Sequence, residues 1–167
     1  MKTLKRLWQH LLHPRFRVQR YFPTPALESI SRHIGASEQK HLGQIRFVIE
    51  SNFPLAAIIN AVTPRERAYQ WFCNLGIWDT EQNCGVLVYI DFADHAVEII
   101  VDRGIAQTIP NETWQQICDE MQQLFHNEQY LNGLTQGLNR IDSILQSEYP
   151  RTNENFDNEL PNDVVVL

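Results

Sequence analysis

The run GVLVYIDFADHAVEIIVDRGI, residues 85–105, constrains the chain most, because two apolar segments sit on either side of a short turn. Val86–Ile90 is apolar at every position, the pattern of a strand buried on both sheet faces, whereas Val97–Val101 carries one polar residue, Glu98. The turn Phe92–His95 joins them into a predicted antiparallel hairpin. A strand covered on both faces needs a layer on each side, so the hairpin belongs to an α/β sandwich. The run holds no nucleophile motif, phosphate loop or metal quartet, and therefore speaks for a fold rather than a reaction.

With 167 residues the chain has enough length for one substantial core. A hydrophobic share of 43% excludes a disordered polymer, and no apolar run approaches the length of a spanning helix. Cys73, Cys84 and Cys118 are odd in number and lack CxxC spacing, which argues against a disulfide framework or zinc site and for a reducing, cytoplasmic setting. Cys84 opens a buried strand and reads as a small hydrophobe.

Charge is distributed unevenly. Residues 1–20 hold Lys2, Lys5, Arg6, Arg15, Arg17 and Arg20 without an acid, so a net charge of -6 overall leaves −12 on the remainder. Leu4, Leu7, Trp8, Leu11 and Leu12 share one helical face in this segment, while His10, Pro14 and Arg15 interrupt any signal-peptide core. Two readings stay open: a helix packed on its own domain, or a peripheral contact of residues 1–20 with an inner-membrane surface. The acidic body disfavours nucleic acid.

Further along, Thr24 and Pro25 predict an N-cap and first turn for a helix with Leu27, Ile30 and Ile34 inward. This helix either runs on toward Leu42 or breaks at Gly35, with Gly43 as a stop. QIRFVIE, residues 44–50, alternates as a first strand, and Thr63–Pro64 with Glu66 forms a capping box opening a helix with Ala68, Trp71, Phe72 and Leu75 buried. That helix is a crossover, which makes strands one and two parallel and the sheet mixed. Asn111 is expected to cap a helix using Trp114, Ile117, Cys118, Met121, Leu124 and Phe125. A last helix uses Leu131, Leu134, Leu138, Ile141 and Leu145, with Gly133 and Gly137 allowing close packing. The expected organisation is a basic segment 1–20, a domain 21–149, and a polar tail 150–167, irregular or loosely docked.

The blocks EQKHLGQIRFVIE, PRERAYQWF, WDTEQNCGVLVYI, VEIIVDRGI and LFHNEQYLNGLTQGLNRI resemble, in order, the TPM domain family and more narrowly its short bacterial branch. The resemblance covers roughly residues 24–149. It implies a Rossmann-like three-layer α/β/α sandwich. Family members include proteins with export signals and membrane helices, some described as acid phosphatases, and some that bind divalent metal; this chain's sequence shows neither a signal nor a membrane helix.

The predicted topology gathers Glu38 and His41 before strand one, Trp78, Asp79 and Glu81 before strand two, and Asp102 and Arg103 after strand three onto one sheet rim. Glu38, His41, Asp79, Glu81 and Asp102 have the donor types for Ca²⁺ or Mg²⁺, and no organic cofactor is implied. Solvated loop acids, an Asp102–Arg103 ion pair and a helix-end role for His41 explain the same residues without an ion. Glu50, at the end of strand one, and Asp91 and Asp94, flanking the hairpin turn, form a weaker acidic group at the opposite edge; turn chemistry accounts for Asp91 and Asp94. Three functions are compatible with these residues. One is a non-catalytic module in which Trp78 and Arg103 help bind a protein partner. The others are a metal-assisted phosphatase using Asp79 or Asp102 to orient water and a membrane-proximal adaptor.

Overall fold

A computed structural model describes residues 6–8, 10, 15–152 and 158–167, with backbone only at 15–17. Its helices are α1 (Arg15–Tyr21), α2 (Thr24–Ser37), α3 (Leu55–Ile59), α4 (Pro64–Asn74), α5 (Arg103–Thr108), α6 (Asn111–His126) and α7 (Tyr130–Glu148). Strands β1 (Gln44–Glu50), β2 (Gly85–Asp91), β3 (Ala96–Val101) and β4 (Val165–Val166) form one sheet in the order β3-β2-β1-β4. β1 runs parallel to β2 and β4, and β2 runs antiparallel to β3. The mixed sheet and its hairpin thus follow the periodicity of residues 85–105.

Alternation along the strands divides the core in two. Ile45, Phe47, Ile49, Val86, Val88, Ile90, Val97 and Ile99 face one layer, which holds Val18 and Phe22 of α1 and beyond, Ile34 of α2, and the inner faces of α6 and α7. Val48, Leu87, Tyr89 and Ile100 face the other, against Ile58 of α3 and Ala68 and Phe72 of α4. This is the three-layer α/β/α arrangement. A Cβ on Gly137 would stand 2.3 Å from Met121 Sδ, and one on Gly133 would stand 2.6 Å from Phe125, so both glycines set the close contact of α6 with α7.

The capping box on α4 forms as the sequence predicts: Thr63 Oγ1 accepts from Glu66 N at 3.2 Å, and Glu66 Oε2 accepts from Thr63 N at 2.8 Å. Two other caps differ. Pro23 occupies the N-cap of α2 and Pro110 that of α6, so Thr24 and Asn111 are already helical. In both cases proline's fixed φ places the chain at the helix entrance, and no side-chain cap bond is made. α2 passes through Gly35 without a break and ends at Ser37, whose hydroxyl donates back to Ile34 O at 2.9 Å; Gly43 stops nothing.

The largest departure is the tail. Residues 158–167 are docked: Val165 and Val166 pair with Val48 and Ile49, Leu167 N donates to Ile49 O at 2.9 Å, and Ser51 N donates to Leu167 O at 2.8 Å. Val164 and Val166 pack on one core layer, Val165 and Leu167 on the other, as alternation in a strand requires. Hydrophobic periodicity over four terminal residues is too short a signal to distinguish such a strand from a frayed end.

Candidate functional site

Gln44 and Gly85 are register partners, and Asp102 N donates to Gly85 O at 2.9 Å. The starts of β1 and β2 and the end of β3 therefore stand side by side, and the segments carrying Glu38 and His41, Asp79 and Glu81, and Asp102 and Arg103 share that rim. They do not share one point: among the described residues, no three of Glu38, His41, Asp79, Glu81 and Asp102 bring ligand atoms within 4.8 Å of one another.

Each rim residue has a distinct environment. Glu38 is buried; its Oε1 accepts from Ile45 N at 2.8 Å, and the Asn162 amide, turned to donate, lies 2.8 Å from Oε2. Burial pushes its carboxyl up to about 7, and the neighbouring charge of Asp142 adds to the rise. His41 has no exposed side-chain surface; its Nε2 lies 3.6 Å from Asp142 Oδ1, and neither ring nitrogen makes a hydrogen bond among the described residues. His33 Nε2 approaches the other oxygen of Asp142 at 3.1 Å. Asp142 is a buried acid on α7 between Leu138, Ile141 and Leu145.

On the β2–β3 side, Asp102 caps α5, its Oδ1 accepting from Arg103 N at 2.7 Å. Asp102 and Arg103 do not form the expected ion pair: the guanidinium instead donates from Nε to Asn83 Oδ1 at 2.6 Å. Gly104 sits so close to the 82–83 backbone that a Cβ would stand 2.5 Å from Asn83 O, which locks the loop to α5. Trp78, Asp79 and Glu81 are exposed on this loop, Trp78 by 53%. Between α2, β1 and the tail, a cavity of about 550 Å³ opens, bordered by Glu38, His41, Gln44, Arg151, Asn158 and Asn162.

A profile of the TPM domain matches residues 19–144. The chain belongs to the TPM domain family. The NMR structure of BA42 protein from the psychrophilic bacterium Bizionia argentinensis is similar to this chain with a TM-score of 0.74 at 25% identity, covering 85% of this chain and 92% of that one. The solution structure of the N-terminal domain of a protein from P. gingivalis shares the fold at a TM-score of 0.57 and 18% identity, over 78% of this chain and 82% of that one. No curated protein matches the chain significantly.

The opposite edge of this TPM domain holds the described group whose ligand atoms do converge, His10, Asp91 and Asp94. Hydrogen-bond chemistry argues against an ion there. His10 Nδ1 accepts from Phe53 N at 2.9 Å, which leaves Nε2 to face Asp94 Oδ1 at 3.3 Å. Arg6 Nε donates to Asp94 Oδ2 at 2.7 Å and Arg6 Nη1 to Val62 O at 2.6 Å. Burial works against the charge of Asp94, but His10 and Arg6 outweigh it and hold that carboxyl low; burial and the Asp94 charge push Asp91 up. The group is a clasp that fastens residues 6–8 and 10 to the domain, with Leu7 packed against the α3–α4 layer and Trp8 exposed. Of the apolar face expected in residues 1–20, Leu4, Leu11 and Leu12 lie outside the described residues.

Sequence reasoning missed Gln44, Arg46, Asp142 and the tail residues as rim components. A signal was present in two cases, since Arg46 lies among the apolar Ile45, Phe47, Val48 and Ile49 and Asp142 on an apolar helix face. Such buried charges need partners. No described cysteine is activated at the rim: Cys84 donates to Gln82 O at 3.1 Å, and burial pushes its thiol up to about 11. No described helix is long and apolar enough to cross a membrane.

Proposed function

We propose that this TPM domain is a protein-binding module whose working surface is the rim at the starts of β1 and β2. The observation that carries the reading is the cavity of about 550 Å³ beside the buried Glu38 and a buried His41 whose ring nitrogens make no hydrogen bond among the described residues, next to a loop that exposes Trp78, Asp79 and Glu81 on a locked backbone. Rigid backbone presenting an aromatic ring and mixed charge is suited to recognition, because little order is lost on binding. Glu38 Oε1 and Asp102 Oδ1 are committed to backbone donors, and no three of the rim's described carboxylate and imidazole groups bring ligand atoms within 4.8 Å of one another, so the rim is not a ready ion cage. Ca²⁺ or Mg²⁺ is the alternative occupant, one that has to draw Asp79, Glu81 and Asp102 together. A metal-assisted phosphatase has to use such an ion to polarise a phosphoryl oxygen and Asp79 or Asp102 to orient water.

The test compares proteins captured from lysate by the wild-type chain and by Asp79→Ala and Arg103→Ala variants, both at exposed positions. A partner retained by wild type and lost by both variants is expected; an unchanged partner set overturns the rim assignment. Hydrolysis of an aryl phosphate that vanishes in Asp102→Asn replaces the binding reading with the phosphatase. Peripheral membrane attachment through residues 1–20 is a separate property, read by liposome flotation with and without them.

A further inference from the structure

We propose that the edge of β1 covered by residues 158–167 is an acceptor groove for a segment of a partner protein that bends against the start of β1 and ends as a short parallel strand, and that the tail is a built-in occupant such a segment displaces. The inference rests on the binding-module reading and names the form of the partner. Its basis is how the tail is held. Gln44 uses its side-chain carbonyl to accept from Glu159 N at 3.1 Å and Leu160 N at 2.8 Å, and its amide donates to Glu159 Oε1 at 3.4 Å. Glu81 N donates to both Glu159 carboxylate oxygens at 3.1 Å, and the buried Arg46 donates to Pro161 O. Asn162 reaches the buried Glu38.

Side chains of the domain thus hold the backbone of a bent segment at Glu159–Pro161, and a short parallel ladder follows at Val165 and Val166, the main-chain pairing by which peptides are recognised through strand addition. An integral strand is held mainly by its ladder. Here the ladder is short, with Val165 and Val166 as its paired residues against seven pairs between β1 and β2. Residues 164–167 stay half-exposed, and Leu160 is the one described tail side chain buried in a core layer. The matched family region ends at residue 144, before the tail begins.

The groove defines its ligand. It takes an acidic residue for the amide of Glu81, an aliphatic one for the socket of Leu160, a free carbonyl for Arg46, an amide for Glu38, and then β-branched residues that alternate between the two layers while running parallel to β1. A tethered occupant competes at an effective concentration on the order of millimolar, so added peptide is masked until the tail is weakened.

The experiment uses the full chain and a fluorescent synthetic peptide, NELPNDVVVL, read by anisotropy. In Leu160→Asp, peptide binding is expected to tighten at least tenfold over wild type, and to fall at least tenfold again when Gln44→Ala is added. A folded Leu160→Asp chain, judged by near-ultraviolet circular dichroism, that binds no more tightly than wild type overturns the proposal. Loss of the cooperative fold in Leu160→Asp and also in a milder Val165→Thr variant makes the tail an integral strand and overturns it too. So does tail exchange between copies, seen as a dimer by light scattering in the absence of peptide. If the peptide arm fails while Asp79→Ala still loses its captured partner, the groove falls and the rim reading stands.

Discussion

β1 ends in one buried glutamate and begins against another, and the two are treated differently. Glu50 accepts from Arg67 at 2.6 to 3.2 Å, from Trp71 Nε1 at 3.1 Å and from Tyr89 OH at 2.7 Å. Glu38 accepts from one backbone amide and one side-chain amide, and the neighbouring Asp142 carries the same sign of charge. A buried carboxylate surrounded by donors organises its end of a fold, whereas one left with few partners beside a cavity holds capacity for a ligand. By this measure the Glu50 end ties β1 to β2 and α4, and the Glu38 end is where recognition chemistry is available.

The largest effect expected from this contrast is at Glu50. Glu50→Ala leaves the Arg67 guanidinium, the Trp71 N–H and the buried Tyr89 hydroxyl without their common acceptor, and removing one partner of such a buried pair costs about 3–5 kcal/mol. Urea denaturation of the two proteins measures it. A loss below about 1 kcal/mol breaks the comparison, because the network is then no more structural than an exposed ion pair.

Glu38 moves in the opposite sense and depends on pH. With its native carboxyl raised to about 7, the folded chain holds a proton that the unfolded chain releases near the ordinary carboxylate value. That contribution to stability is fully present below the unfolded value and is lost as pH rises through about 7. Glu38→Gln keeps an acceptor for Ile45 N and carries no charge to bury. The variant should therefore gain on wild type by on the order of 2–3 kcal/mol between pH 4 and pH 8, because a tenfold change in proton affinity corresponds to about 1.4 kcal/mol. Urea midpoints across that range check the slope, and a difference independent of pH would show that Glu38 is solvated in the native state.

Most of the fold was legible because its cause is local. The doubly apolar Val86–Ile90, the alternation of Gln44–Glu50 and the Thr63–Glu66 capping box each carry their structural consequence within a few residues. The rim was legible as a location, since parallel β1–β2 and antiparallel β2–β3 pairing bring those loops together whatever the side chains do. Its internal arrangement was not, because it depends on contacts remote in sequence: Asn162 on Glu38, Glu159 on Gln44, and Arg151 Nη1 donating to Glu38 O at 3.0 Å. The same holds for the clasp, where His10 meets Phe53 and Asp94 from a segment whose periodicity shows an apolar face but not what it covers. Asp102 shows the limit in a single residue: its neighbour in sequence suggested an ion pair, and the geometry made it a cap.

The smallest effect sharpens the contrast within the rim itself, between Asp102, which is buried and capping, and Asp79, which is exposed and has no capping task. Asp102→Ala should cost about 1 kcal/mol through the lost cap. Asp79→Asn should change stability by less than about 0.5 kcal/mol, as surface substitutions away from structural contacts do. Calcium titration followed by two-dimensional NMR then separates recognition by side chains from recognition through an ion. If an ion occupies the rim, Asp79→Asn abolishes shifts centred on residues 78–83 while leaving the unfolding curve unmoved. If calcium produces no localised shifts in wild type, Asp79 serves a partner directly, and its substitution is felt in binding alone.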